Sequence, residues 1–149
     1  MKHFALTLGV SLLMTTASFA ENLVTRSSAY SVTETVDRLA AAVENAGAKV
    51  FARVDHAAGA ASVGTDLRPT EMLMFGNPAL GTPAMQLSQS AGLDLPLRVV
   101  VYEDAEGQVT MAWHAPSEFS TVHGLPEDAE VLTRMTGALN KLTAAAAGE

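Results

Sequence analysis

Asp55 and His56 are neighbours in the chain, and Arg68 and Glu71 follow a short way on. An imidazole titrates near neutral pH, so His56 can serve as an acid, a base or a ligand. A carboxylate beside it can orient the ring, and Glu71 supplies a second carboxylate for acid–base work. The same residues also have a purely structural use. Asp55 can cap a short helix with His56 in its first turn, and Arg68 and Glu71 can form an ordinary ion pair. A second group is the run Gly76-Asn77-Pro78-Ala79-Leu80-Gly81-Thr82-Pro83. Its glycines allow a backbone to approach a ligand, and Thr82 is placed to open a helix whose free amides could hold an anion. No Lys follows the second glycine, so this is not a Walker A loop. The plainer use is a strand-to-helix turn, with Asn and Pro setting the turn and Thr capping the helix. The candidate ligand-binding residues are therefore Asp55, His56, Arg68, Glu71, Gly76, Asn77, Gly81 and Thr82, with His56 and Glu71 as the catalytic candidates.

Several chemistries are excluded or weakly supported. There is no Cys, which removes thiol nucleophiles, thiolate metal sites and CxxC redox chemistry. No G-x-S-x-G, H-E-x-x-H or S-x-x-K motif occurs. His56, His114 and His123 are not paired at H-x-x-x-H spacing. Met72 and Met74 share one face of a strand, and thioethers suit copper(I), but methionine at that spacing is commonly core filler. No cofactor is expected, with copper or haem as the metal alternative. Trp113 and Phe119 flank Pro116, where packing under a helix is the expected use. The formal net charge is -7, with no basic run, so neither nucleic acid nor anionic lipid is an expected partner.

These residues need elements to position them. Leu23 to Ala29 reads as a strand. Ser31-Val32-Thr33-Glu34 is a capping box that starts a helix, with Val32, Val36, Leu39 and Val43 on its apolar side and Gly47 as its stop. Ala48 to Asp55 alternates as a half-buried strand, with Val50, Ala52 and Val54 on one face and Lys49, Phe51 and Arg53 on the other. Residues 56–64 read as a short helical turn. Glu71 to Phe75 reads as a central strand covered on both faces. Gly76 to Gly81 reads as a loop, followed by a short helix that Thr82 caps and Pro83 opens, running to about Ser90. Leu95 to Tyr102 and Val109 to His114 form a hairpin around Gly107. A short turn or helix leads to Gly124. Pro126-Glu127-Asp128 opens a final helix with the stripe Leu132, Met135, Leu139, Leu142 and Ala146, and Glu130 and Arg134 are spaced to pair. Strands do not alternate with long helices, so a doubly wound sheet is not expected. The expected fold is α+β: a mainly antiparallel sheet of about five strands with two main helices on one face, plus short inserted helices.

Three stretches resemble a known family: FARVDHAAGAASVG (51–64), LRPTEMLMFGNPALGTPAMQ (67–86) and AGLDLPLRVVVYED (91–104). They are similar to the bacterial family called domain of unknown function 302 (DUF302). The resemblance covers the chain from the first helix to the C-terminal helix. It implies a β-α-β(4)-α fold, often dimeric, and therefore a homodimer here. It implies no established activity and carries no catalytic roles.

Residues 1–20 read as a secretory signal. Lys2 and His3 form a basic start, Phe4 to Thr16 an apolar core, and Ala17-Ser18-Phe19-Ala20 a small-residue cleavage site. The apolar run is shorter than the roughly 20 residues a membrane span needs. Residues 21–149 are then one exported domain, expected in the bacterial periplasm with no membrane span. Without free ATP there, a nucleotide role for the glycine run is disfavoured. The expected function is a binding or interaction module for a small molecule or anion, or for a protein. The alternatives are an enzyme using His56 with a nearby carboxylate, and a copper or haem carrier.

Overall fold

In a computed structural model, residues 23–149 are described, so the expected signal segment lies outside the described residues. Five strands form one antiparallel sheet in the order β1-β5-β4-β3-β2. They are β1 (Leu23–Ser28), β2 (Lys49–Asp55), β3 (Thr70–Gly76), β4 (Leu97–Glu103) and β5 (Val109–His114). Helix α1 (Val32–Asn45) carries the chain from one sheet edge to the other, and α5 (Glu130–Ala147) lies beside it. Three shorter helices are inserted: α2 (His56–Ser62), α3 (Pro78–Leu87) and α4 (Glu118–His123), with a 3-10 turn at Gln89–Leu93. The α+β reading with two main helices over one face is correct.

The sequence explains most of these elements. Ser31 accepts a hydrogen bond from the Glu34 amide (3.3 Å) at the start of α1. Gly47, at φ 73°, follows the end of that helix in the left-handed conformation that favours glycine. Val36, Leu39 and Val43 of α1 and Met135 and Leu139 of α5 are buried against Leu73, Phe75, Val99, Val101 and Met111 of the sheet. This is one continuous core, and it replaces disulfides as the source of stability. Trp113 and Phe119 are buried within it.

The structure differs from the sequence reading in four places. First, β3 is central, but its two faces are unequal. Glu71, Leu73 and Phe75 are buried under the helices, while Met72 and Met74 are only half-buried on the opposite face. Second, α3 begins at Pro78. Asn77 is the cap, accepting from the Ala79 amide (2.9 Å), so Gly81 and Thr82 lie within the helix and Pro83 interrupts its interior. Proline at the first helical position explains the early start. Third, α5 starts at Glu130, after a turn closed by the Ala129 amide on the Pro126 carbonyl (3.0 Å). Glu130 and Arg134 form no ion pair among the described residues.

Fourth, β2 is irregular. The register shifts between Val50 and Ala52, so Val50 pairs with Phe75, Ala52 with Met74 and Arg53 with Leu73. Paired residues share a face. Val50 and Arg53 therefore lie on the helix side, while Ala52 and Val54 lie on the open side. An extra residue in a strand re-aims the side chains after it, and a strict alternation cannot reveal it.

Candidate functional site

The candidate residues fall into two separate groups. Asp55 caps α2, its Oδ1 accepting from the Ala58 amide (2.8 Å). His56 opens α2 as an exposed residue and makes no hydrogen bond to Asp55 or Glu71 among the described residues. Arg68 is exposed and donates from Nε to the Glu103 carbonyl (3.0 Å). It does not meet Glu71.

Glu71 is buried, at 7% exposure, and it has other partners. Thr33 Oγ1 donates to Oε1 (2.8 Å) and Arg53 Nε donates to Oε2 (2.5 Å). Arg53 also donates to Asp37 Oδ1 (2.5 Å). The Glu71 carboxylate raises the Arg53 pKa above its ordinary value, Asp37 adds to this, and partial burial opposes it. This network ties β2 and β3 to α1. It became possible because the β2 irregularity turns Arg53 to the helix side.

The second group lines a pocket. Gly76, Asn77, Gly81 and Thr82 all contribute to a cavity of about 190 Å³ at the end of the sheet. Phe51, Met85, Leu95, Pro96, Leu97 and Met135 supply most of its apolar wall. Two glycines keep it open. A methyl group added at Gly76 would stand 3.5 Å from Pro96 Cβ and 3.7 Å from the Phe51 ring. One added at Gly81 would stand 3.6 Å from Leu95 Cδ1. Both are ordinary contact distances, so side chains there would occupy space that is now empty. Phe51 stands at the irregular point of β2 and is 50% exposed. Met135 is buried on α5. The wall was missed from sequence because its members come from four separated segments. The paired glycines were its one visible signal.

A third cluster also went unread. Ser90 Oγ lies 3.1 Å from His123 Nδ1, and His123 Nε2 lies 2.7 Å from Asp94 Oδ2. Arg98 donates to the other Asp94 oxygen (2.7 Å). Serine, histidine and carboxylate in series resemble a nucleophile relay. Here the imidazole is shut away, with 2% of its side chain exposed, and none of the three lines the apolar pocket. The cluster pins α4 to the 3-10 turn and to β4. Among the described residues, no group of three or more His, Asp or Glu side chains is placed to hold a metal ion.

The family model for "Domain of unknown function DUF302" matches residues 24–142. The chain belongs to the DUF302 family. A DUF302 crystal structure from Bacillus stearothermophilus superimposes with a TM-score of 0.76 at 20% identity, covering 85% of this chain and 99% of that one. At that identity the likeness establishes the shared fold. Among curated proteins, this DUF302 chain is 43% identical over 129 residues to "Fluoride-specific ion channel FluC 1" of Brucella suis, covering 85% of this chain and 50% of that protein. The Brucella melitensis "Fluoride-specific ion channel FluC 2" matches at 43% over 129 residues, with 47% of its length covered. The DUF302 chain thus spans about half the length of the curated relatives it matches. No helix among its described residues is long and apolar enough to cross a membrane.

Proposed function

We propose that this DUF302 domain is an exported, non-enzymatic binding module that takes a small ligand in the pocket beside α3. The observation that carries this reading is the cavity held open by Gly76 and Gly81. Its volume of about 190 Å³ is somewhat larger than the ~150 Å³ dry apolar cavities that accept benzene. Apolar walls with a few polar groups are the usual make-up of a small-molecule site. The ligand-binding set narrows accordingly to Gly76, Asn77, Gly81 and Thr82, and Asp55, His56, Arg68 and Glu71 become structural or surface residues. The enzyme alternative loses support, since His56 is exposed and Glu71 is committed to Arg53 and Thr33. A copper or haem carrier would have to work with fewer than three His, Asp or Glu ligands among the described residues. The test is a titration of the purified protein with small aromatic compounds, followed through the amide signals of Gly76 and Gly81. Specific, saturable movement of those signals supports the module; signals that stay fixed throughout the series count against it.

A second reading concerns the partner. The named fluoride channels carry a segment like this chain as about half of their length. The reading is that this domain works alongside a membrane channel, as a water-exposed accessory to it. The segment of the Brucella suis protein that matches this chain can be deleted and fluoride efflux measured in vesicles. Altered efflux or altered gating supports the accessory role, and unchanged efflux removes it.

A further inference from the structure

The described residues contain eight basic side chains in a chain that is acidic overall. Five of them are engaged. Arg26, Arg53 and Arg98 pair with Glu149, with Asp37 and Glu71, and with Asp94. Arg38 donates to the Ala145 and Ala146 carbonyls and covers the Tyr30 ring, and Arg68 holds the Glu103 carbonyl. The other three are Lys49, Arg134 and Lys141, and none has a carboxylate within 4.0 Å or a hydrogen bond among the described residues.

Each of these cations stands beside the pocket or its neighbouring groove, Lys49 from the sheet edge and Arg134 and Lys141 from α5. Lys49 pairs in register with Gly76, and its Nζ stands 5.4 Å from the centre of the Phe51 ring, a wall of the pocket. Arg134 and Lys141 line the adjoining groove, which shares Asn77 and Leu80 with the pocket. Glu130, one helical turn before Arg134, leaves it unpaired. Unneutralised like charges on one surface repel and raise the local potential for an anion. Lys49, Arg134 and Lys141 therefore favour an anion beside the pocket.

We infer that the ligand is a small organic anion, with a hydrocarbon body about the bulk of one substituted ring in the pocket and its charged group among Lys49, Arg134 and Lys141. This inference rests on the pocket being a binding site. The apolar body accounts for the walls, and the charge accounts for the three unpaired cations. Neither feature alone would specify an amphiphilic anion.

The test compares phenylacetate with the uncharged phenylethanol on the purified protein. Dissociation constants are read from the Gly76 and Gly81 amide signals at low and high salt. The expected result is that phenylacetate binds about twofold to fivefold more tightly at low salt, the range that partly exposed charge pairs supply. The preference should fade at high salt and vanish in the Lys49→Gln/Arg134→Gln/Lys141→Gln variant, while phenylethanol binding stays unchanged. Equal binding of both compounds to the unsubstituted protein would overturn the anion inference and leave the pocket intact as a binding site. Failure of both compounds to bind would overturn the pocket reading together with the inference.

Discussion

Glu71 shows how a residue suited to chemistry can instead be committed to structure. Both its oxygens accept hydrogen bonds, from Thr33 and Arg53, in a buried position. Glu71→Ala should destabilise the protein by about 1–3 kcal/mol, because Arg53 and Thr33 lose a partner in a partly buried site. Urea denaturation would measure this. The sign of the Arg53 effect follows from its raised pKa. Its contribution to stability is fully present below the ordinary arginine pKa and is lost only as pH rises through the higher folded value. Stability attributable to Arg53 should therefore be flat across the neutral range. His123 is a second committed residue. His123→Ala removes a buried ring held by Ser90 and Asp94, and should cost about 2–3 kcal/mol by the same argument. The candidate acids and bases were legible as residue types. Their partners were not, because Arg53 reaches Glu71 only through the strand irregularity, and His123 meets Asp94 across a gap of 29 residues.

At the level of elements, periodicity located α1, the hairpin and α5 well. The stripes Val32-Val36-Leu39-Val43 and Leu132-Met135-Leu139-Leu142-Ala146 are both buried as read. The errors arose where one residue changed the geometry. Asn77 moved the start of α3 earlier than Thr82 implied, and the extra residue in β2 reversed the face of Arg53. Helix α3 offers a direct check. Gly81 sits in a helix interior without a left-handed backbone, and an added methyl group meets only an ordinary contact. Gly81→Ala should stabilise the protein by up to about 1 kcal/mol through helix propensity, while narrowing the pocket. A gain in thermal midpoint accompanied by weaker ligand binding is the expected pair of results. That opposition would show a glycine retained for space at some cost in stability.

For the whole molecule, the two main helices protect one face of the sheet and leave the other partly bare. Ala52, Val54, Met72 and Met74 share that second face, and Val54 is 37% exposed. The homodimer implied by the family resemblance remains a proposal, and this apolar stretch supports it. Light scattering should give a dimer mass for the protein, and Val54→Lys should shift it to monomer if the open face carries the contact. A monomer mass before substitution would remove the dimer. The fold was readable from the order of elements and from the family motifs. The pocket was only half readable, since Gly76, Asn77, Gly81 and Thr82 fall within one short run of sequence while Phe51, Leu95, Pro96 and Met135 arrive through folding.

The most direct test of the binding module uses ligand-induced stabilisation. A ligand at 100 times its dissociation constant should add about 2.7 kcal/mol of apparent stability. Thermal shifts with phenylacetate should be compared in the unsubstituted protein, Gly81→Leu and His56→Ala. The shift should disappear in Gly81→Leu, whose side chain fills the pocket, and persist in His56→Ala. A shift that survives in Gly81→Leu, or is lost in His56→Ala, would contradict the placement of the site beside α3.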